Sequence, residues 1–244
     1  MRAQTLRTTL RNGIATFTLT HTTINQATAQ ALCTAVESIE LDETIRVVLI
    51  AGSGQHFCQG VANAGDWERR VDWIAAIGHL TVPVIAAIDG DAIAEGFELA
   101  LACDLRLVST RARFQMPQLQ RGELPSHGGT QRLPRIVGRT RALDLLLSGR
   151  ALTAAEAEAM GLATRVFPAK SFATDVRRVV GDLAAKGPVA LRYAKEAVRD
   201  GVDLPLDHGI RLEQDLYVLL QTTADRTEGI RAFLEKRRPT FKGS

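Results

Sequence analysis

The chain has 244 residues, of which 45% are hydrophobic and 23% charged, and its net charge is +3. That length and apolar fraction suit one large domain, or one domain with a small appendage, able to bury a real core. No run approaches the roughly 20 apolar residues of a membrane helix and the first residues lack the apolar stretch of a secretory leader, so a cytoplasmic chain with no membrane partner is expected.

In chain order, residues 5–20 read as a hairpin. Two short segments flank Asn12-Gly13, and Ala15, Phe17 and Leu19 alternate with Thr16 and Thr18. A helical stretch near 26–40 precedes Val47 to Ala51, a short apolar run ending at Gly52 that fits a strand buried on both faces. Further runs of this kind lie at Val82 to Ile88 and Leu105 to Val108, with helical segments near 66–79 and 95–103 between them. This alternation favours an α/β fold with parallel pairing. From about residue 128 the pattern turns helical, and Thr164 to Phe167 is the only late strand candidate. Gly187-Pro188 marks the start of a helical C-terminal region. The expected division is therefore 1–187 for the core and 188–244 for the helices.

The three cysteines, Cys33, Cys58 and Cys103, fall outside any zinc spacing and are odd in number, which suggests neither a metal site nor a disulfide framework. Basic residues are scattered apart from Lys236, Arg237 and Arg238, and no RNA-binding aromatic motif appears, so nucleic acid is not expected as a partner.

The most informative stretch runs from Ile88 to Asp104, where a buried strand passes through a glycine-bearing turn into a short apolar helix. The first N–H groups of such a helix lack intrahelical partners and lie at the positive end of its dipole, so they can hold an oxyanion. Glu98, set among Phe97, Leu99 and Ala100, reads as a carboxylate in partly apolar surroundings, which raise a carboxyl toward the range useful for proton transfer. It reads also as an ordinary solvated first-turn acid, as does Glu95. The loop Gly52 to Val61 carries three glycines and can either approach a ligand with its backbone or serve as a plain surface turn.

Taken in order, the Phe57-Cys58-Gln59-Gly60 loop, the helix bearing Glu98-Leu99-Ala100 with Cys103-Asp104, and Gly128-Gly129-Thr130-Gln131-Arg132-Leu133-Pro134-Arg135 with Val137-Gly138 resemble the crotonase (enoyl-CoA hydratase/isomerase) superfamily. Leu147-Ser148-Gly149-Arg150 and Gly229 to Arg237 extend the resemblance over nearly the whole chain. It implies a crotonase-like ββα spiral core, an acyl-CoA thioester as substrate with CoA as part of that substrate rather than a separate cofactor, no metal, and a homotrimer or dimer of trimers.

The resemblance also implies roles. The backbone N–H groups of Val61 and Glu95 match the family's oxyanion donors, each typically worth about 3–4 kcal/mol in the transition state. The family's glycine-rich tripeptide is Ala94-Glu95-Gly96 here, so the Glu95 carboxylate must either point away from the developing anion or repel it. Glu98 matches the first of two glutamates that hold a water over the double bond. The second is replaced by Gln118, which can orient a water but cannot exchange a proton with it. Glu123 and His127 are candidate substitutes, while His56 reads as a surface residue. CoA contacts are expected at Asn25, Gln59 and Val61, completed by Phe233 and Lys236, which a neighbouring subunit can supply; Ala62 and Gln55 depart from the family pattern beside them.

Hydration of an enoyl-CoA with Glu98 as general base is the first expectation. Other enolate chemistry remains open beside it: isomerisation, which loses most from Gln118, decarboxylation, C–C hydrolysis, or hydration of a cyclic dienoyl-CoA. A CoA- or RNA-binding member with little catalysis is the third.

Overall fold

A computed structural model describes residues 5–62 and 71–244. Two strands, β1 (Leu6–Arg11) and β2 (Ile14–Leu19), form the expected antiparallel hairpin, with Asn12 and Gly13 both at positive φ. That is the backbone twist a two-residue hairpin loop requires, and it explains the Asn-Gly pair. Asn25 then caps α1 (Gln26–Glu40), its Oδ1 accepting the Thr28 N–H at 2.9 Å.

The centre of the chain is built from pairs of strands whose members go to different sheets. The pairs are β3 (Val47–Ala51) with β4 (His56–Cys58), β5 (Val84–Ile88) with β6 (Asp91–Ile93), and β7 (Leu105–Ser109) with β8 (Arg113–Gln115). Helix α2 (Trp73–His79) follows the first pair and α3 (Glu95–Ala102) the second. The longer member joins a six-stranded sheet of order β1-β2-β3-β5-β7-β10, parallel from β2 onward, where β10 is Arg165–Phe167. The shorter joins a four-stranded sheet of order β4-β6-β8-β9, closed by β9 (Leu152–Thr153). Each turn of the chain thus advances both sheets by one strand, which is the ββα spiral expected.

All five residues of β5 are buried, as a strand covered on both faces must be. The main core gathers Phe17, Phe57, Trp73, Phe97 and Phe114 between the sheets and helices, and each such side chain contributes about 1.5–3 kcal/mol by leaving water. The helical series continues with α4 (Gly129–Val137), α5 (Arg139–Ser148), α6 (Ala154–Ala159), α7 (Phe172–Ala184), α8 (Pro188–Gly201), α9 (Leu206–Gln221) and α10 (Ala224–Leu234). Proline at the first helical position opens α8, where the missing N–H costs nothing. Lys195 of α8 ties the last helices to the sheet, its Nζ lying 2.7 Å from Asp104 Oδ2 and donating to the Val82 carbonyl at 3.0 Å.

Two sequence expectations change. The helix expected near 66–79 begins at Trp73 within the described residues, and residues 66–70 lie outside them. The whole second sheet went unread, because strands of two or three residues are too short to show a period of two. Among the described residues no helix is long and apolar enough to cross a membrane.

Candidate active site

Helix α3 is where the site is organised. Strand β6 enters it through Ala94, held at φ 52° and ψ −122°, whose carbonyl accepts the N–H groups of Phe97 and Glu98. Every residue of α3 is buried. Such close packing requires Gly96, because a Cβ there would stand 2.0 Å from the Cys58 carbonyl oxygen of β4. The start of α3 is therefore pressed against the Cys58 to Val61 segment, which brings the two expected thioester-binding stretches together.

Glu98 is fully buried, so of the two readings open from sequence the solvated one is excluded. Its Oε1 accepts the His127 N–H and the Gly129 N–H, both at 2.8 Å, so the carboxylate sits on the N-terminal end of α4. Its Oε2 is buried with no hydrogen-bond partner among the described residues. Burial pushes the Glu98 carboxyl above the usual glutamate range; the two N–H groups and the nearby His127 oppose that rise, and the neighbouring Glu95 adds to it. A carboxyl with one oxygen fixed and the other uncommitted is arranged for proton transfer.

Gln118 opens a short 3-10 turn (Gln118–Arg121) just after β8 and is 1% exposed, with neither amide atom partnered among the described residues. Buried polar groups are normally satisfied, so a buried amide with both ends uncommitted marks a place where water or ligand belongs. The segment adjoins the start of α3, where the Ala94 N–H donates to the Gln115 carbonyl at 2.9 Å.

The Glu95 side chain takes the second of the two courses its sequence context left open. Instead of pointing away, its Oε2 accepts the Val61 N–H at 2.9 Å, and the residue is only 9% exposed. The cause is local: a carboxylate at the first position of a helix is drawn to the positive N-terminal end and to the nearest N–H donor. Glu123 is not brought in. Its side chain is 59% exposed and paired with Arg121 at 3.1 Å. His127 is brought in, buried with its ring 5.9 Å from that of Trp73 and its Nδ1 3.7 Å from Asp72 Oδ1.

Of the expected CoA contacts, Asn25, Gln59 and Val61 lie side by side. The Ile24 N–H donates to the Gly60 carbonyl, the Ala62 N–H to the Ile24 carbonyl, and the Gln59 N–H to the Thr22 carbonyl. The Gln59 amide is placed by His56 and Asp91, its Nε2 lying 3.1 Å and 3.4 Å from them. Phe233 and Lys236 lie apart at the end of α10, both exposed. Burial pushes the Cys58 and Cys103 thiols up to about 12, so neither is a nucleophile near neutral pH.

The profile of the enoyl-CoA hydratase/isomerase family matches residues 9–244. The chain belongs to the enoyl-CoA hydratase/isomerase family. It is an enzyme of that family by its relatives as well: it is 36% identical over 231 residues to the 2,3-dehydroadipyl-CoA hydratase of Escherichia coli, covering 90% of each chain. It is likewise 36% identical over 228 residues to the mitochondrial methylglutaconyl-CoA hydratase of Mus musculus, covering 87% of this chain and 73% of the relative. The solved enoyl-CoA hydratase of Bacillus anthracis superposes with a TM-score of 0.94 at 32% identity, over 99% of this chain and 100% of that one.

Sequence reasoning missed parts of the enoyl-CoA hydratase/isomerase site that act through backbone. The Gly129 N–H was signalled only by the paired glycines before a helix. Arg132, whose Nη1 donates to the His127 carbonyl at 2.6 Å, steadies the segment that grips Glu98. Arg106 in β7 closes the other end of α3, its Nε donating to the Leu162 carbonyl at 2.6 Å and its Nη1 to the Cys103 carbonyl at 2.7 Å. A charged residue inside an otherwise apolar strand was the available signal.

Proposed function

We propose that the chain is a cytoplasmic lyase that adds water to the double bond of an enoyl-CoA thioester through an enolate. The observation that carries this reading is Glu98: buried, with Oε1 clamped by two N–H groups and Oε2 uncommitted. Glu98 takes a proton from the attacking water and returns it to the α-carbon. Gln118 orients that water through its amide but exchanges no proton with it. The thioester oxygen, negative in the enolate, is held by the N–H groups of Val61 and Glu95, the second being one that a helix N-terminus leaves without an intrahelical partner. CoA runs past Asn25, Gln59 and Val61, and Phe233 and Lys236 complete its site in a homotrimer or dimer of trimers. The names of the two hydratase relatives support the reaction type.

The test is turnover of crotonyl-CoA, followed by loss of absorbance of the conjugated thioester, for the native chain and for Glu98→Gln. Turnover that the substitution reduces by roughly 10²–10⁴-fold supports the reading, since that is the usual worth of general acid–base catalysis. A native chain that binds the thioester without hydrating it overturns the reading in favour of a different enolate reaction or of a binding role with little catalysis. For such a reaction His127, buried beside Glu98, is the residue that would join it.

A further inference from the structure

We infer that the Glu95 side chain is a built-in competitor for the position of the thioester oxygen, and that it sets the affinity of this enzyme for acyl-CoA. The inference rests on the proposed function, because it takes Val61 N–H as a thioester donor.

A carboxylate oxygen and a thioester oxygen ask the same thing of that N–H: an acceptor in line with it at hydrogen-bond distance. Glu95 Oε2 meets the requirement at 2.9 Å. It also lies directly over the Gly60-Val61 peptide, since a Cβ added to Gly60 would stand 2.6 Å from Oε2. The glycine and the carboxylate share one small space, and Glu95 as a residue is 9% exposed rather than turned to solvent. Two features hold it there. The bond is charge-assisted, and the charge sits at the N-terminal end of α3, where a negative group is favoured. An incoming thioester oxygen must therefore displace a stronger acceptor than itself before it reaches Val61. The Glu95 backbone N–H is indifferent to this exchange and remains at the helix start whichever side chain the residue carries.

Removal of the carboxylate should therefore tighten the binding of the acyl-CoA while leaving both backbone donors in place. The probe is butyryl-CoA, a saturated thioester with no double bond to hydrate, titrated calorimetrically into the full-length native protein, Glu95→Ala and Glu95→Gln. Thermal melts establish that each variant is folded. The expected result is roughly tenfold tighter binding by Glu95→Ala, a change of about 1.4 kcal/mol, with Glu95→Gln between the two. Free CoA, which has no thioester oxygen, should bind all three alike. Acetate at high concentration should weaken butyryl-CoA binding to Glu95→Ala, by returning a carboxylate to Val61, and leave the native protein unaffected. Equal or weaker binding of butyryl-CoA by folded Glu95→Ala overturns the inference and spares the proposed function. Failure of every variant to bind either compound overturns both.

Discussion

Glu98 of α3 accepts the Gly129 N–H of α4 at 2.8 Å, so the end of one helix orients the acid carried by another. Burial is the largest influence on that carboxyl and lifts it above its ordinary value. A group raised in the folded state contributes stability that is complete below its unfolded value, about 4.3, and is lost as pH rises through the folded one. The native chain should therefore lose stability relative to Glu98→Gln as pH climbs from about 4.3. Urea unfolding of both proteins at mildly acidic and mildly alkaline pH measures this, and a gap between them that does not move with pH would contradict it.

Gln118 should show a conflict between stability and activity. Both of its buried amide atoms lack a partner among the described residues. Gln118→Met keeps the volume and removes the polar groups, so it should stabilise the fold by about 1 kcal/mol. Turnover of crotonyl-CoA should fall about tenfold or more, since the water it orients loses a hydrogen bond. A melt and an assay on one preparation decide it.

Glu123→Gln should leave turnover within about threefold of native. Its carboxylate faces solvent and pairs with Arg121, an exposed bond worth about 1 kcal/mol or less. A large loss in the same assay would return Glu123 to the site.

Lys195→Met should cost about 2–3 kcal/mol. The Lys195 side chain is 8% exposed, and its ammonium group bridges Asp104 and the Val82 carbonyl. Its loss leaves the Asp104 charge partly buried without a cation, and because Asp104 is itself 32% exposed the cost falls below that of a fully buried pair. Combining it with Asp104→Asn in a double-mutant cycle isolates the pairwise part.

Those parts of the molecule that rest on local chemistry were legible in the sequence. Asn12-Gly13 announced the hairpin, and the apolar runs of β3, β5 and β7 announced the buried sheet because both of their faces are covered. Glu98 stood out as an acid in an apolar helix. What could not be read depends on residues far apart in the chain. The second sheet pairs strands of two or three residues, and the grip on Glu98 comes from backbone groups up to 31 positions away. For Glu95 the needs of the reaction left two orientations open, whereas its conformation follows from the nearest N–H donor.

The same grip has a kinetic consequence. Closing a segment of that length costs entropy before any contact repays it, and contacts between distant residues tend to be completed late in folding. The helices from α7 onward each form from neighbouring residues, but Glu98 acquires its orientation only when α4 docks on α3. During refolding from urea, helical ellipticity should return ahead of catalytic turnover, so turnover marks the docking of α4 rather than the formation of helices.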